Sequence, residues 1–442
     1  MSDAAKSMPM AASQGSAWTR IKGYGIWIAA ALLLLILPFI FPSGAALTTM
    51  CLMGIMIIFA LSYNMLLGQT GMLSFGHAVY YGLAAFVTAH MMNWAVKSGV
   101  PIPLLLMPVF GGLAGLFFGI VFGSVSTKRG GTAFAMISLG LAELVYSSSL
   151  ILRSFFGGEE GISFDRTKLV RVFGYNFGSQ IQIYYLIAAW CLLCVILMYA
   201  LTRTPFGRMC NAVRENPERV EFVGYNPQFV RFIAFSLAGL FAGIAGSLAA
   251  INIELSQASF VGAAQSGAVL LATYIGGVAF FVGPVLGAIL VTLLSIKLSD
   301  FSEIWVLYFG ILFITVILFA PYGISGLLMM HAQFWRGPVG KSLARLGKLL
   351  GAYLIALIPA LIMIAGAILL IEMIHHVAQK SAEGANMHFL RRSYLTVNTH
   401  TVLPWIGGTI ALIAGFFAFK FTWPTVAKAW NDALVDAQRS GS

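Results

Sequence analysis

The stretch Ala46–Val96 reads ALTTMCLMGIMIIFALSYNMLLGQTGMLSFGHAVYYGLAAFVTAHMMNWAV, and it decides the fold class. Its two apolar runs, Ala46–Leu67 and Ala78–Val96, are each close to the roughly 20 residues that a helix needs to cross a bilayer. The segment between them, Gly68–His77, is rich in glycine and polar residues. The pattern predicts two transmembrane helices separated by a short break in regular backbone.

Apolar runs of similar length recur along the whole chain. They predict an all-α fold, a polytopic transmembrane helix bundle with broken half-helices. The further candidate spans are Gly25–Phe41, Leu104–Val125, Gly131–Leu152, Ile181–Leu201, Phe232–Ile251, Gly283–Leu298, Ile304–Ala320, Leu350–Ile371 and Leu403–Phe421. A shorter run, Ala264–Val278, predicts a half-helix that breaks at Gly276-Gly277.

The composition excludes an ordinary soluble enzyme. Of 442 residues, 59% are hydrophobic and 9% charged, whereas soluble domains have roughly 25% charged residues. The net charge of +11 does not predict nucleic-acid binding, because no basic stripe alternates with aromatic residues. The apolar run Tyr24–Phe41 exceeds the roughly 7–15 residues of a signal peptide core, so residues 1–23 are expected to be a cytoplasmic segment before a retained first helix.

Basic residues set the expected orientation in a bacterial inner membrane. Cytoplasmic loops collect Lys and Arg, which places Lys128-Arg129, the stretch Arg203–Arg219 and the residues after Ala320 inside. The loop Arg153–Gln180 mixes both charges and is expected outside. This alternation requires Ala264–Val278 to count as a crossing.

Two glycine-rich breaks interrupt the apolar pattern. Irregular backbone at membrane depth is tolerated where it is buried in protein or lines a watery cavity. For Gly68–His77 we favour a substrate pathway over plain helix packing, because four polar residues cluster there: Gln69, Thr70, Ser74 and His77. For Ile275–Ala288, which has no ionisable residue, a pathway, a packing surface and a hinge all stay open.

Other polar residues inside the apolar spans are further pathway candidates. Glu143 interrupts an apolar span, where a carboxylate costs roughly 2.5–3.5 kcal/mol. It is expected either to line the route or to hold two helices together by a hydrogen bond. Tyr274, just before the second break, is the sixth pathway candidate. No nucleophile–base set and no metal-ligand cluster emerges, so no catalytic residue, metal or cofactor is expected in this chain.

The segment Thr204–Asn226 (TPFGRMCNAVRENPERVEFVGYN) is the longest predicted cytoplasmic connection. Val213, Val220 and Val223 predict an apolar stripe on a short amphipathic helix, and Asn216-Pro217 is typical of a helix start. Such a helix suits a groove on a soluble partner that supplies force. The phosphate-loop-like Gly337–Ser342 (GPVGKS) has Trp335 where the first glycine would fall, so ATP is expected to bind elsewhere.

Several segments, taken together and in order, resemble the LivM type of permease. That family serves ATP-binding-cassette importers of branched-chain amino acids. The matching stretches are Leu61–Ala85, Gly130–Glu143 (GGTAFAMISLGLAE), Gly157–Ser163 (GGEEGIS), Gly207–Asn226, Ile275–Ala288 and Phe319–Leu327 (FAPYGISGL). The resemblance implies a permease domain over residues 24–330. It also implies four kinds of partner: a second LivH-like permease, two ATPase subunits that bind ATP and Mg, a periplasmic substrate-binding protein and membrane lipid.

The resemblance also implies which residues meet the ATPase. Glu218 to Gly224 (ERVEFVG) resembles the coupling signature of cassette importers, with Arg219 and Val220 replacing the usual alanines. The expected coupling residues are Arg208, Arg214, Glu215, Asn216, Glu218 and Gly224.

Residues 331–442 depart from the family pattern. They form a C-terminal extension, with a basic linker containing Arg336 and a predicted membrane hairpin. The extension is expected either to anchor the chain peripherally or to pack on the partner permease.

The favoured function is therefore the membrane half of an ATP-driven importer for branched-chain or related amino acids. Urea or short amides are alternative substrates within the same family. A stand-alone ion-coupled carrier is the alternative of another class. It should place several ionisable groups at membrane depth, whereas Glu143 is nearly alone there. A membrane-embedded transferase would need an acid–base set that the sequence lacks.

Overall fold

The computed structural model describes residues 17–170, 176–320, 322–332, 334, 339–379, 386–388 and 396–439. The helices are α1 (Ala17–Ile40), α2 (Gly44–Thr70), α3 (Ala78–Ser98), α4 (Met107–Ser126), α5 (Gly131–Ile151), α6 (Arg153–Phe156), α7 (Gln180–Arg203), α8 (Pro205–Glu215), α9 (Pro217–Phe222), α10 (Pro227–Ile253), α11 (Ala263–Gly276), α12 (Val282–Phe301), α13 (Trp305–Phe319), α14 (Gly323–Ala332), α15 (Val339–Gln379) and α16 (Val402–Arg439). The strands are β1 (Ile162–Ser163), β2 (Leu255–Ser256), β3 (Asn386–His388) and β4 (Thr396–Asn398).

The predicted all-α polytopic bundle is confirmed. Among the described residues, nine helices are long and apolar enough to cross a membrane, and each predicted apolar run coincides with a helix. The first 16 residues of the predicted N-terminal segment lie outside the described residues, as does Arg336 of the basic linker.

Helix α3 differs from the expectation for a lipid-facing span. It is not among the nine apolar helices, because Thr88, His90 and Asn93 lower its hydropathy. Most of its side chains are nevertheless buried, since α4 and α10 pack against it. A helix that is covered by protein on most sides has little contact with lipid and therefore tolerates these polar residues.

Helix α10 lies at the centre of the bundle, and α4 packs closely against it. In the most apolar part of α10, 78% of the residues are buried. The contact is made by glycines spaced four apart, Gly111, Gly115 and Gly119 on α4 facing Gly239 and Gly243 on α10. A Cβ on Gly115 would lie 2.8 Å from the Cα of Gly243, so any larger residue would force the helices apart. Small residues at this spacing are what allow two membrane helices to approach backbone to backbone.

The outer loop is fastened to the end of α10. Strand β1 pairs antiparallel with β2, with Ile162 opposite Ser256. Beside it the buried guanidinium of Arg166 donates from Nη1 to the carbonyls of Ile251 and Asn252, each at 3.1 Å, and forms an ion pair with Glu254 at 3.1 Å. Carbonyls at a helix C-terminus lack helical partners, and a cation there also interacts favourably with the helix dipole.

Helix α11 is long and apolar enough to count as a membrane crossing, as the predicted orientation requires. With the preceding 3-10 turn it covers the 19 residues Ala258–Gly276, so it is longer than the half-helix expected from Ala264–Val278. It starts beside β2, on the outer side, and ends at Gly277, which touches the start of α14 at Tyr322 and Gly323. The glycines of this second break are therefore close-packed, as the packing interpretation predicts.

The C-terminal extension forms the predicted hairpin of two long helices. Helices α15 and α16 pack against each other, and β3 pairs antiparallel with β4 at the outer end. The carboxylate of Glu372 on α15 accepts hydrogen bonds from Ser302 Oγ at 2.5 Å and from the hydroxyl of Tyr308 at 2.9 Å. The hairpin is thus tied to Ser302, which lies between α12 and α13, and to Tyr308 of α13.

A second cluster ties the hairpin to the end of α14, the helix that leads from the permease domain into the extension. His331 of α14 lies 3.0 Å from the hydroxyl of Tyr353 through its Nε2 atom. The ring of His331 also packs edge-on against Trp430 of α16, with ring centroids 5.1 Å apart. The extension therefore packs on its own permease domain, and contact with a partner permease stays a prediction.

The Glu372–Tyr308 hydrogen bond predicts a measurable coupling between the two residues. Glu372→Leu and Tyr308→Phe should each lower the free energy of unfolding by about 1–3 kcal/mol, because Leu leaves the Tyr308 hydroxyl without its acceptor and Phe removes one of the two donors to the carboxylate. The double variant should lose less than the sum, by at least about 0.5 kcal/mol. Denaturation in mild detergent measures the free energy of unfolding of the unmodified protein, the two single variants and the double variant. Strict additivity would contradict the contact.

Candidate functional site

The first break is shorter than predicted. Helix α2 continues through Gln69 and Thr70 and ends at Gly71, whose φ of 70° lies in the left-handed region. The N–H of Gly71 donates back to the carbonyl of Leu67 at 3.2 Å, which closes the helix. The irregular backbone therefore runs from Gly71 to His77. The apolar run ended earlier in the sequence only because Gln69 and Thr70 are polar.

Within the described residues, the polar side chains of this break are packed inside the bundle. Ser62 Oγ donates to the carbonyl of Phe59 at 2.7 Å and is also hydrogen-bonded to the Nε2 atom of His77 at 2.9 Å. The hydroxyl of Tyr63 donates to the carbonyl of Ser74 at 2.9 Å. Thr70 donates to the carbonyl of Leu66 within α2. Thr70, Ser74 and His77 are all at most 3% exposed, so in this conformation they hold the break together and line no open space.

Two other helices satisfy the backbone N–H groups of the break. Phe75 N donates to Ser138 Oγ of α5 at 3.0 Å, and Ala78 N donates to Ser266 Oγ of α11 at 3.0 Å. His77 occupies the position before α3 but makes no side-chain cap, so Ser266 does that work from another helix. The break is consequently a junction of α2, α3, α5 and α11.

Gln69, the fourth candidate in this region, faces a different environment. Its Oε1 atom is buried and accepts no hydrogen bond from the described residues. It lines a small cavity of about 20 Å³ together with Met65, Met198 and Cys210, between α2, α7 and α8. Gln69 thus lies beside the coupling segment and not at the junction.

Glu143 and Tyr274 are not brought to the break either. Glu143 lies on the exposed face of α5 and makes no hydrogen bond or ion pair with the described residues. It shares that face with Gly140 and Ser147, at helical spacings of three and four. Tyr274 is half-buried and packs edge-on against Phe313 of α13, with ring centroids 6.3 Å apart.

The predicted cytoplasmic amphipathic helix is two short helices joined at Asn216. Thr204 caps α8 by accepting from Gly207 N at 3.3 Å, and Asn216 Oδ1 caps α9 by accepting from Arg219 N at 2.9 Å. Pro217 follows Asn216 at the first helical position, where its missing N–H costs nothing. The predicted helix start at Asn216-Pro217 is confirmed.

The predicted apolar stripe is correct for two of its three valines. Val213 and Val220 are buried against Cys210, Val230 and Ala234. The prediction for Val223 is wrong: α9 ends at Phe222, so Val223 leaves the helical face and is 70% exposed.

The exposed end of this segment is an apolar tip, formed by Phe222, Val223 and Tyr225. Phe222 is 91% exposed, and Gly224, with φ of 92°, turns the chain between Val223 and Tyr225. All six predicted coupling residues are exposed in the same segment: Arg208, Arg214, Glu215, Asn216, Glu218 and Gly224. The sequence reasoning missed Phe222 and Tyr225, although two aromatic residues flanking a glycine in a charged segment were a visible signal.

Arg214, the sixth predicted coupling residue, turns toward its own chain. Its guanidinium donates to the carbonyl of Gly68 in the last turn of α2. Its aliphatic stem lies beside Gly71, where an added Cβ would be 3.0 Å from Arg214 Cγ. Arg214 therefore connects the coupling segment directly to the start of the first break.

Comparisons with known proteins agree with this architecture. Residues 45–321 match the model of a family described as "Branched-chain amino acid transport system / permease component". The chain is 28% identical to the high-affinity branched-chain amino acid transport system permease protein LivM of Escherichia coli, over 61% of this chain and 67% of that protein. It is 23% identical to BraD of Pseudomonas aeruginosa, of the same description, over 61% and 91%.

Sugar permeases are also related. The fructose import permease protein FrcC of Rhizobium meliloti is 27% identical over 37% of this chain and 47% of that protein. No solved structure matches the chain significantly. Because the family model covers more than half of the chain, this multi-pass inner-membrane protein belongs to the family of permease components of branched-chain amino acid transport systems.

Proposed function

We propose that this chain forms half of the translocation pathway of an ATP-driven importer for branched-chain or related amino acids. Two separate ATPase subunits bind and hydrolyse ATP with Mg, a second LivH-like permease forms the other half, and a periplasmic binding protein delivers the substrate. The family match supports the transport role. The names of the relatives LivM and BraD support branched-chain amino acids as the substrate class.

The observation that carries the proposal is the apolar tip beside α9. The phenyl ring of Phe222 is 91% exposed, and contact of this apolar surface with water is unfavourable. Its neighbours Val223 and Tyr225 are exposed as well. Aromatic residues of this kind are typical anchors of protein interfaces. The same segment carries exposed charges on Arg208, Glu215 and Glu218, which suit the polar rim of an interface. A short helix with such a tip fits a groove on a soluble ATPase.

The exposed face of α5 supports the assignment of the pathway. Glu143, Gly140 and Ser147 lie on one side of a membrane-spanning helix. A carboxylate that faced lipid would cost roughly 2.5–3.5 kcal/mol, so this face belongs toward the pathway or the second permease. In the pathway the carboxylate would attract the ammonium group of an amino acid. Urea and short amides carry no such charge.

The apolar tip predicts that Phe222→Ser weakens ATPase binding. We expect co-purification with the two ATPase subunits to fall at least roughly ten-fold, because an interface anchor is removed. Phe319→Ser, at an 81% exposed position at the end of α13, is the matched control and should leave co-purification unchanged. Equal retention of the ATPases by both variants would refute the docking role of the tip.

The pathway assignment predicts that Glu143→Gln lowers amino acid uptake without loss of subunits. Proteoliposomes that contain the complete transporter and its binding protein should take up substrate at least roughly ten-fold more slowly, because the charge that attracts the ammonium group is gone. Co-purification of the second permease reports on assembly. Loss of that permease would assign Glu143 to the subunit interface, and undiminished uptake would remove it from the pathway.

A further inference from the structure

We propose that Arg214 is the positioning residue through which the coupling segment moves the first break. This inference rests on the proposed function, since it assumes that an ATPase displaces α8 and α9. It assigns to Arg214 a role inside the permease, distinct from contact with the ATPase. The argument starts from the end of α2.

The end of α2 leaves the carbonyl of Gly68 without a helical partner. In an uninterrupted helix the carbonyl of Gly68 would accept from the N–H of Met72. Here the left-handed turn at Gly71 redirects the chain, so that Met72 N donates to Leu66 and Gly71 N donates to Leu67. The Gly68 carbonyl therefore needs an external donor, and it lies at the negative end of the helix dipole.

Arg214 supplies both the donor and the positive charge. Its guanidinium, a cationic group, donates to this carbonyl. The close approach depends on Gly71, because a side chain there would press on the Arg214 stem and would also have to adopt a φ of 70°. The same helix α8 buries Cys210 and Val213 against α10. Helix α8 thus packs its apolar face on α10, and its Arg214 guanidinium binds the end of α2.

The last turn of α2, which contains Gly68, also contacts the second break. A Cβ on Gly68 would lie 2.9 Å from the carbonyl oxygen of Val278, which belongs to the segment between α11 and α12. A displacement of α8 that pulls on Gly68 therefore reaches both glycine breaks at one point. From there the first break continues to Ser138 on α5 and Ser266 on α11.

The test compares transport with ATP hydrolysis in proteoliposomes that contain the complete transporter. Arg214→Gln removes the charge, and Arg214→Lys keeps a positive charge but lacks the planar guanidinium. Gly71→Ala adds a methyl group that displaces the aliphatic part of the Arg214 side chain. Arg129→Gln, at an exposed position in the other cytoplasmic loop, is the matched control. We expect Arg214→Gln to retain the ATPases and most hydrolysis, while substrate taken up per ATP falls at least roughly ten-fold. The ratio of uptake to hydrolysis should be intermediate for Arg214→Lys and reduced for Gly71→Ala. In the control Arg129→Gln this ratio should equal that of the unmodified protein.

Three results would overturn the proposal, and they separate it from the proposed function. An unchanged ratio of uptake to hydrolysis in Arg214→Gln would show that the contact transmits nothing. A parallel loss of ATPase binding and hydrolysis would place Arg214 at the docking surface instead. If the unmodified chain bound no ATPase, the proposed function itself would fail. Hydrogen exchange of the permease alone would then decide about the contact: the amides of Met72 to Phe75 should exchange faster in Arg214→Gln than in Arg129→Gln, and equal exchange would refute it.

Discussion

Irregular backbone at membrane depth has no water to bond with, so each of its polar groups needs a partner from the protein. The break between α2 and α3 meets this requirement with side chains from four other places. Serines of α5 and α11 accept its N–H groups, Tyr63 donates to the carbonyl of Ser74, and Arg214 reaches the end of α2 from the cytoplasmic side. Every element that contacts the break is therefore also able to move it.

This arrangement explains why the break can be both firm and responsive. Its hydrogen bonds run to helices that belong to different parts of the bundle, so they keep its shape while those helices keep their relative positions. A relative shift of α8 would act first on the bond between Arg214 and the carbonyl of Gly68. The packed state of Thr70, Ser74 and His77 fits this role, since buried and bonded groups transmit displacement better than solvated ones.

Local signals made much of the fold predictable. The apolar runs predicted the helices because membrane helices need a fixed length, and the Asn216-Pro217 pair predicted the start of α9 because capping is local. The end of α2 was misplaced by three residues, since Gln69 and Thr70 are polar yet helical and only Gly71 has a left-handed φ. The partners Ser138, Ser266 and Glu372 lie far along the chain from the groups they bind. No spacing rule connects such pairs, and the inward turn of Arg214 depends on tertiary packing in the same way.

The hydrogen bonds from Arg166 to the end of α10 have a consequence for any protein that binds this loop. A polar loop without such bonds adopts many conformations. A protein that binds it must then order the loop, and the lost conformational entropy lowers the affinity. Here the guanidinium fastens the loop to the α10 terminus before any encounter. Under the proposed function, a binding protein that docked there would meet backbone from Ile162 to Arg166 that is already fixed to β2 and to the end of α10.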